Sequence, residues 1–242
     1  MATPAQNRKN IQKNKRSIFE VEAKVTANRA KAYATRSLIE ENRASILKNY
    51  TAAFMGNRQL ANQNTDDIFR NRKAVLSNMR AKNEVEENFV QTMINEANLD
   101  FLEHRAGLNA AVLAVNEKMV KANALLIEVN DAIMAANEGI VRFNAKEIAK
   151  NTEILNGKIK LSSATPAKNA ARVKKNASRG AEVAKKANAN TKKMDVLAAS
   201  MNANRKKIEK NAEKIQERRE SILKNASNIS KNQARVAAYI TS

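Results

Sequence analysis

Residues 109–151 read NAAVLAVNEKMVKANALLIEVNDAIMAANEGIVRFNAKEIAKN, with asparagine at every seventh position. Four residues after each asparagine stands an apolar side chain: Leu113, Val120, Ile127, Met134, Val141 and Ile148. Alternating spacings of four and three define a heptad with the apolar residue at a and asparagine at d. At about 100° per residue, setting a at 0° puts d near 300° and g near 240°. In this stretch g is apolar too, as Met119, Leu126 and Ile133 show. Asparagine therefore lies between two apolar columns, at the middle of the stripe such a helix would bury.

The period is not confined to this stretch. Asparagines at 7, 14, 28, 42 and 49, at 57, 64, 71 and 78, at 88, 95 and 109–151, and at 169, 176, 190, 204, 211, 225 and 232 form four blocks, each in multiples of seven; together they are 25 of the chain's 33. The matching a residues run from Ile11, Ile18 and Val25 to Ile208, Ile215 and Ile222. A seven-residue repeat sustained over this length predicts supercoiled helices, an all-α fold of very long heptad helices forming an elongated coiled coil.

Block offsets mark where the pattern is disturbed. Asn49 to Asn57 is eight residues, beside Gly56, and Asn78 to Asn88 is ten. Both read as phase shifts tolerated within one helix, near 56 and in 79–87. Between Asn151 and Asn169 lies NGKIKLSSATPAK, where Gly157 suits a helix end and Pro166 the first turn of a new helix. The expected layout is one long helix in 1–157, a turn or hinge at 158–165, and a second helix in 166–242.

Composition agrees with helices and removes other classes. Of 242 residues, 43% are apolar but only 4% aromatic, with five Gly, two Pro, no Trp and no Cys. Disulfides, thiolate metal sites and cysteine nucleophiles are thereby excluded. No window approaches the ~18 consecutive apolar residues of a membrane span, and the start lacks a secretion-signal core, so synthesis in the cytoplasm is expected. The single His104 has no triad or zinc-ligand companions, and adjacent acidic pairs such as Glu40–Glu41 diverge around a helix, so catalysis is not expected.

Charge is uneven: residues 1–87 carry net +8, 88–157 net −3 and 158–242 net +15. A hairpin pairing the last two segments would be electrostatically favourable, within one chain or between chains.

An unpaired buried amide costs about 1–3 kcal/mol, so a ladder of them needs partners. The candidate polar layers are Asn14, Asn42, Asn71, Asn109, Asn116, Asn123, Asn130, Asn137, Asn144, Asn151, Asn211 and Asn225, expected to be buried or half-buried and to hold one another, water or an anion. In 1–49 and 204–236 the g column is usually small or polar, and there asparagine can equally line a wet edge. One polar residue per heptad core fixes register at a cost in stability.

The Ile-x-x-Asn heptads, such as Ile11–Asn14, Ile39–Asn42, Ile127–Asn130, Ile148–Asn151 and Ile208–Asn211, resemble the asparagine-at-d motif of trimeric autotransporter adhesin stalks. That resemblance implies inward-pointing asparagines that coordinate chloride in a trimer. The threonine that follows asparagine in that family is matched only at Asn64–Thr65, Asn151–Thr152 and Asn190–Thr191. The likeness is one of repeat pattern, and the packing idea is carried over without the adhesin function.

Two functions fit these features. One is a structural protein that assembles with copies of itself, as a trimer or polymer, into a rod, fibre or filament. The other is sequence-independent binding of nucleic acid or another polyanion, or of an acidic protein surface, suggested by a pI near 10.2. Its candidate residues are Arg172, Lys174, Lys175, Arg179, Lys185, Lys186, Lys192 and Lys193. No aromatic platform interleaves with them, so such binding would fall steeply with salt.

Overall fold

A computed structural model of the chain describes residues 3–241. It is all-α, with no strand among the described residues. Helix α1 spans Pro4–Tyr50 and passes through a π-helical stretch, Thr51–Asn57, into α2, Arg58–Ser77; α3 is Glu84–Leu155 and α4 is Pro166–Thr241. The chain divides into two compact units, Met1–Gln59 with Lys160–Glu220 and Leu60–Ile159 with Ser221–Ser242.

The helix ends follow from local chemistry. α1 and α4 open on the same short motif, Thr-Pro-Ala-x-Asn, at Thr3–Asn7 and Thr165–Asn169. The threonine hydroxyl accepts from the amide three residues on, Gln6 N–H in α1 and Lys168 N–H in α4, each at 3.2 Å. Proline next to it gives up an amide hydrogen that the first turn would leave unpaired. At the end of α3, Gly157 takes φ +74, Lys158 N–H reaches Glu153 O at 3.1 Å and Gly157 N–H reaches Ile154 O at 3.0 Å. These two bonds form a Schellman stop that ends α3.

The expected single helix over 1–157 is interrupted. Residues 78–83 are a turn, and the ten-residue spacing from Asn78 to Asn88 is a hairpin rather than a phase shift. What starts α3 is Asn83, whose side chain accepts from Glu86 N–H at 2.9 Å while the Glu86 carboxylate accepts from Lys82 N–H at 2.6 Å. An asparagine outside the heptad column thus acts as an N-cap with a reciprocal acid. Asn83→Ala should destabilise the hairpin by about 1 kcal/mol, measurable as faster amide exchange in the first turn of α3.

α2 and α3 run antiparallel. Phe69 packs on Phe101 with ring centroids 5.0 Å apart, Arg72 meets Asp100 at 2.8 Å, Arg105 meets Asp66, and Thr65 Oγ lies 3.4 Å from His104 Nε2. Leu76 and Ala97 are buried in this unit. His104 is exposed on α3. No helix among the described residues is long and apolar enough to cross a membrane.

Candidate assembly interface: an asparagine-to-carbonyl seam

The heptad pattern of α1 and α4 is used asymmetrically. In α1 and the π-helical stretch after it the covered column is d: Asn7, Thr35, Asn42 and Asn57 are buried, and Asn14, Asn28 and Asn49 half-buried. The a column, Ile11, Ile18, Val25, Ile39 and Ile46, is exposed. In α4 the roles reverse. Ala187 and Ile208 are buried and Val173, Gly180, Met194, Met201 and Ile215 half-buried, all at a, while Asn169, Asn176, Asn190, Asn204 and Asn211 are exposed.

Hydrogen bonds explain the reversal. Asn7 Nδ2–H donates to Pro166 O, Asn14 to Val173 O, Asn28 to Ala187 O, Asn42 to Met201 O and Asn49 to Ile208 O, at 2.8–3.0 Å. The two partners are always 159 residues apart in sequence. A constant difference means that α1 and α4 run parallel, with d of one level with a of the other. A helix carbonyl has two lone pairs, so it accepts the amide in addition to its own helical N–H. Each such bond contributes about 0.5–1.5 kcal/mol net, and each amide displaced from its carbonyl while buried costs about 1–3 kcal/mol.

Side-chain sizes fit the same register. The offset puts Val21 level with Gly180 and Asn28 level with Ala187, so the larger residue meets the smaller. Thr191 Oγ–H donates to Asn28 Oδ1 at 2.7 Å, which supplies that amide's acceptor side as well. At the margins Lys31 pairs with Asp195 at 2.7 Å and Arg205 with Glu41 at 3.4 Å, both 164 residues apart. These pairs are solvent-exposed and contribute little to stability, but they favour the same alignment.

The π stretch keeps the ladder in phase. Eight residues separate Asn49 in α1 from Asn57 at the end of the π stretch, while seven separate Ile208 from Ile215 in α4. An α-helix would rotate the surplus residue's successors by about 100° and carry Asn57 out of the seam. The π turn absorbs the surplus instead. Asn57 Nδ2–H still donates to Ile215 O at 2.8 Å, with the offset now 158. The accommodation is imperfect, since Asn57 Oδ1 is buried without a protein partner. Tyr50 and Phe54 stack across the turn at 5.4 Å, with the Arg58 guanidinium 4.5 Å over Phe54. In the other unit Asn64 Nδ2–H donates to Ile222 O at 2.9 Å, again 158 apart, so α2 and the end of α4 are parallel there too.

Among the sequence-predicted layers, Asn14 and Asn42 belong to the seam, and Asn71 is half-buried in a groove with Ile68, Ile229 and Asn232. Asn109, Asn116, Asn123, Asn130, Asn137, Asn144 and Asn151 are exposed within the single chain, as are Asn211 and Asn225, for which the wet edge is the open alternative. From Leu113 to Ile148 the a column of α3 is 60–67% exposed. Amphipathic width says what a helix can bury; it does not supply a partner helix. Asn7, Asn28, Asn49, Asn57 and Asn64 make the same bonds although composition alone does not single them out from the other heptad asparagines. What marks them is the constant 159- or 158-residue distance to an a residue in α4.

The basic candidates Arg172, Lys174, Lys175, Arg179, Lys185, Lys186, Lys192 and Lys193 are all exposed. Arg172, Arg179, Lys186 and Lys193 fall at one heptad position and form a line beside the seam. Lys186 bonds Glu182 at 2.8 Å, which holds the Glu182 carboxyl below its ordinary range. No group of three His, Cys, Asp or Glu side chains able to hold a metal occurs among the described residues. Comparison with protein families, curated proteins and solved structures finds no match for this chain.

Proposed function

We propose that this chain is a structural, self-assembling coiled-coil protein that builds a rod, fibre or filament, with its heptad asparagines fixing which helices lie together and in what register. The observation that carries this reading is the set of seven Asn Nδ2–H to carbonyl bonds at offsets of 159 and 158. An interaction that repeats every heptad recognises a helix surface by its period, and the chain carries more such surface than the pairing of α1 with α4 uses. In these layers the amide hydrogens go to backbone carbonyls, which favours a hydrogen-bonding role for the ladder over the chloride-holding role that the adhesin resemblance implies.

Binding of nucleic acid or another polyanion is the second reading, supported by the exposed line of Arg172, Arg179, Lys186 and Lys193. Sedimentation and electron microscopy at low salt and at about 1 M salt separate the two, because polyanion binding is lost steeply with ionic strength. Ordered polymers of the purified chain persisting at high salt are the expected result. Monomers at all salt concentrations that bind DNA would overturn the structural reading.

A further inference from the structure

Every ladder helix has two usable columns: asparagines at d that donate, and carbonyls at a that accept. In the seam α1 uses its donors and α4 its acceptors, which leaves the complementary columns free. Among the described residues the side-chain amides of Asn190 and Asn211 in α4 find no hydrogen-bond partner, and the a column of α1 is exposed. Both columns open onto one flank of the seam. There, Val25, Ala32 and Asn190 line one groove and Ile46, Ala53 and Asn211 line another. In the second unit the same arrangement recurs with Ile68, Val75 and Asn232.

We infer that the occupant of this groove is α3 of a second copy, its 109–151 ladder donating to the carbonyls of α1 and its a column accepting from the asparagines of α4. The inference deepens the structural reading proposed above and rests on it. Four features point to this occupant. α3 carries both columns without interruption over 109–151, so it can satisfy both sides of the groove at once. Its a column, from Leu113 to Ile148, is more exposed than the a column of α1 and has more to gain from cover. α3 holds 6 Lys/Arg against 12 Asp/Glu while α4 holds 19 against 6, and Lys186, Lys193, Lys214 and Arg218 line the grooves, so the charges are complementary. The seam bonds parallel helices, whereas α3 runs antiparallel to α2 within its own unit, so a parallel ladder comes from another molecule.

Ladder and groove are different surfaces, which makes the contact heterologous. Such contacts build open filaments unless their rotation closes a ring.

The test uses the full chain. Zero-length carbodiimide cross-linking of assemblies mixed from light and heavy isotope-labelled protein should join carboxylates of α3, such as Glu117, Glu128 and Glu138, to groove lysines such as Lys186, Lys193 and Lys214 in mixed-isotope peptides. A second measurement follows assembly of a Leu113→Gln, Ile127→Gln, Val141→Gln variant. Because these side chains are exposed, its helicity should match the unsubstituted chain, while its association constant falls by more than about a hundredfold. If the unsubstituted chain assembles and this variant assembles equally well, or the mixed-isotope links join α3 to α3, the inference fails and the structural reading stands. If the unsubstituted chain stays monomeric at every salt concentration, both fail.

Discussion

Replacing Asn14, Asn28, Asn42 and Asn49 together by leucine raises the thermal midpoint of the α1–α4 pairing and leaves it without a unique register. Each substitution removes one amide-to-carbonyl bond, about 0.5–1.5 kcal/mol net, and leaves no orphan because the acceptor keeps its helical N–H. Each adds a leucine beside Val173, Ala187, Met201 or Ile208, and burying that side chain contributes about 1.5–3 kcal/mol when cover is complete. The cover here is partial, so the net gain over four sites is on the order of a few kcal/mol. Specificity moves the other way. With asparagine, any shift other than a whole heptad strands buried amides at about 1–3 kcal/mol each, whereas leucine carries no such penalty. Spin labels at Arg16→Cys and Lys175→Cys, in a chain that has no other cysteine, should give one sharp distance in the parent and a broad or multiple distribution in the leucine variant. A raised midpoint with a single unchanged distance would show that apolar contacts and the margin ion pairs set the register without the amides.

Inserting one alanine between Ala44 and Ser45 should cost on the order of 3–5 kcal/mol, and deleting Gly56 from the same chain should restore most of it. The insertion lengthens the Asn42–Asn49 spacing to eight and rotates everything after it by about 100°, carrying Asn49 and Asn57 away from Ile208 and Ile215. In the first unit two hydrogen bonds and the cover over two isoleucines are then lost, unless a second π turn forms at comparable cost. Deleting Gly56 returns the count from Asn42 to Asn57 to its original value, so the single π turn can move up one heptad. Deleting Gly56 alone makes the spacing seven on both helices and should raise the thermal midpoint, with loss of the π turn and of one glycine's conformational entropy. Thermal melts of the four chains give the comparison. An insertion that the Gly56 deletion does not relieve would show that residue count between asparagines is not what aligns the seam.

Helix identity, heptad phase and most helix ends were legible in the sequence, because they depend on neighbours a few residues apart. Thr165–Pro166 and Gly157 announced the break before α4. The break at 78–83 was missed because a ten-residue spacing is also what a three-residue insertion in a continuous helix would give. Its decisive residue, Asn83, is one asparagine among many, and only its bonds to Glu86 distinguish a cap from a ladder member. The eight-residue spacing at Gly56 was legible as a disturbance, and its form as a π turn was not, since that choice is made by the seven-residue spacing of the facing α4.

Sequence by itself therefore determined that the chain is all-α, that asparagine and an apolar residue recur as two columns on each helix, and that charge is segregated along it. A period of seven is a property of one chain's backbone geometry and needs no partner to be read. Tertiary structure decided which column each helix uses: d in α1, a in α4, and neither over most of α3. That choice depends on contacts about 159 residues apart, and it arises because a short amide reaches a neighbour's carbonyl only where two backbones run parallel, close together and three residues out of phase in their heptads.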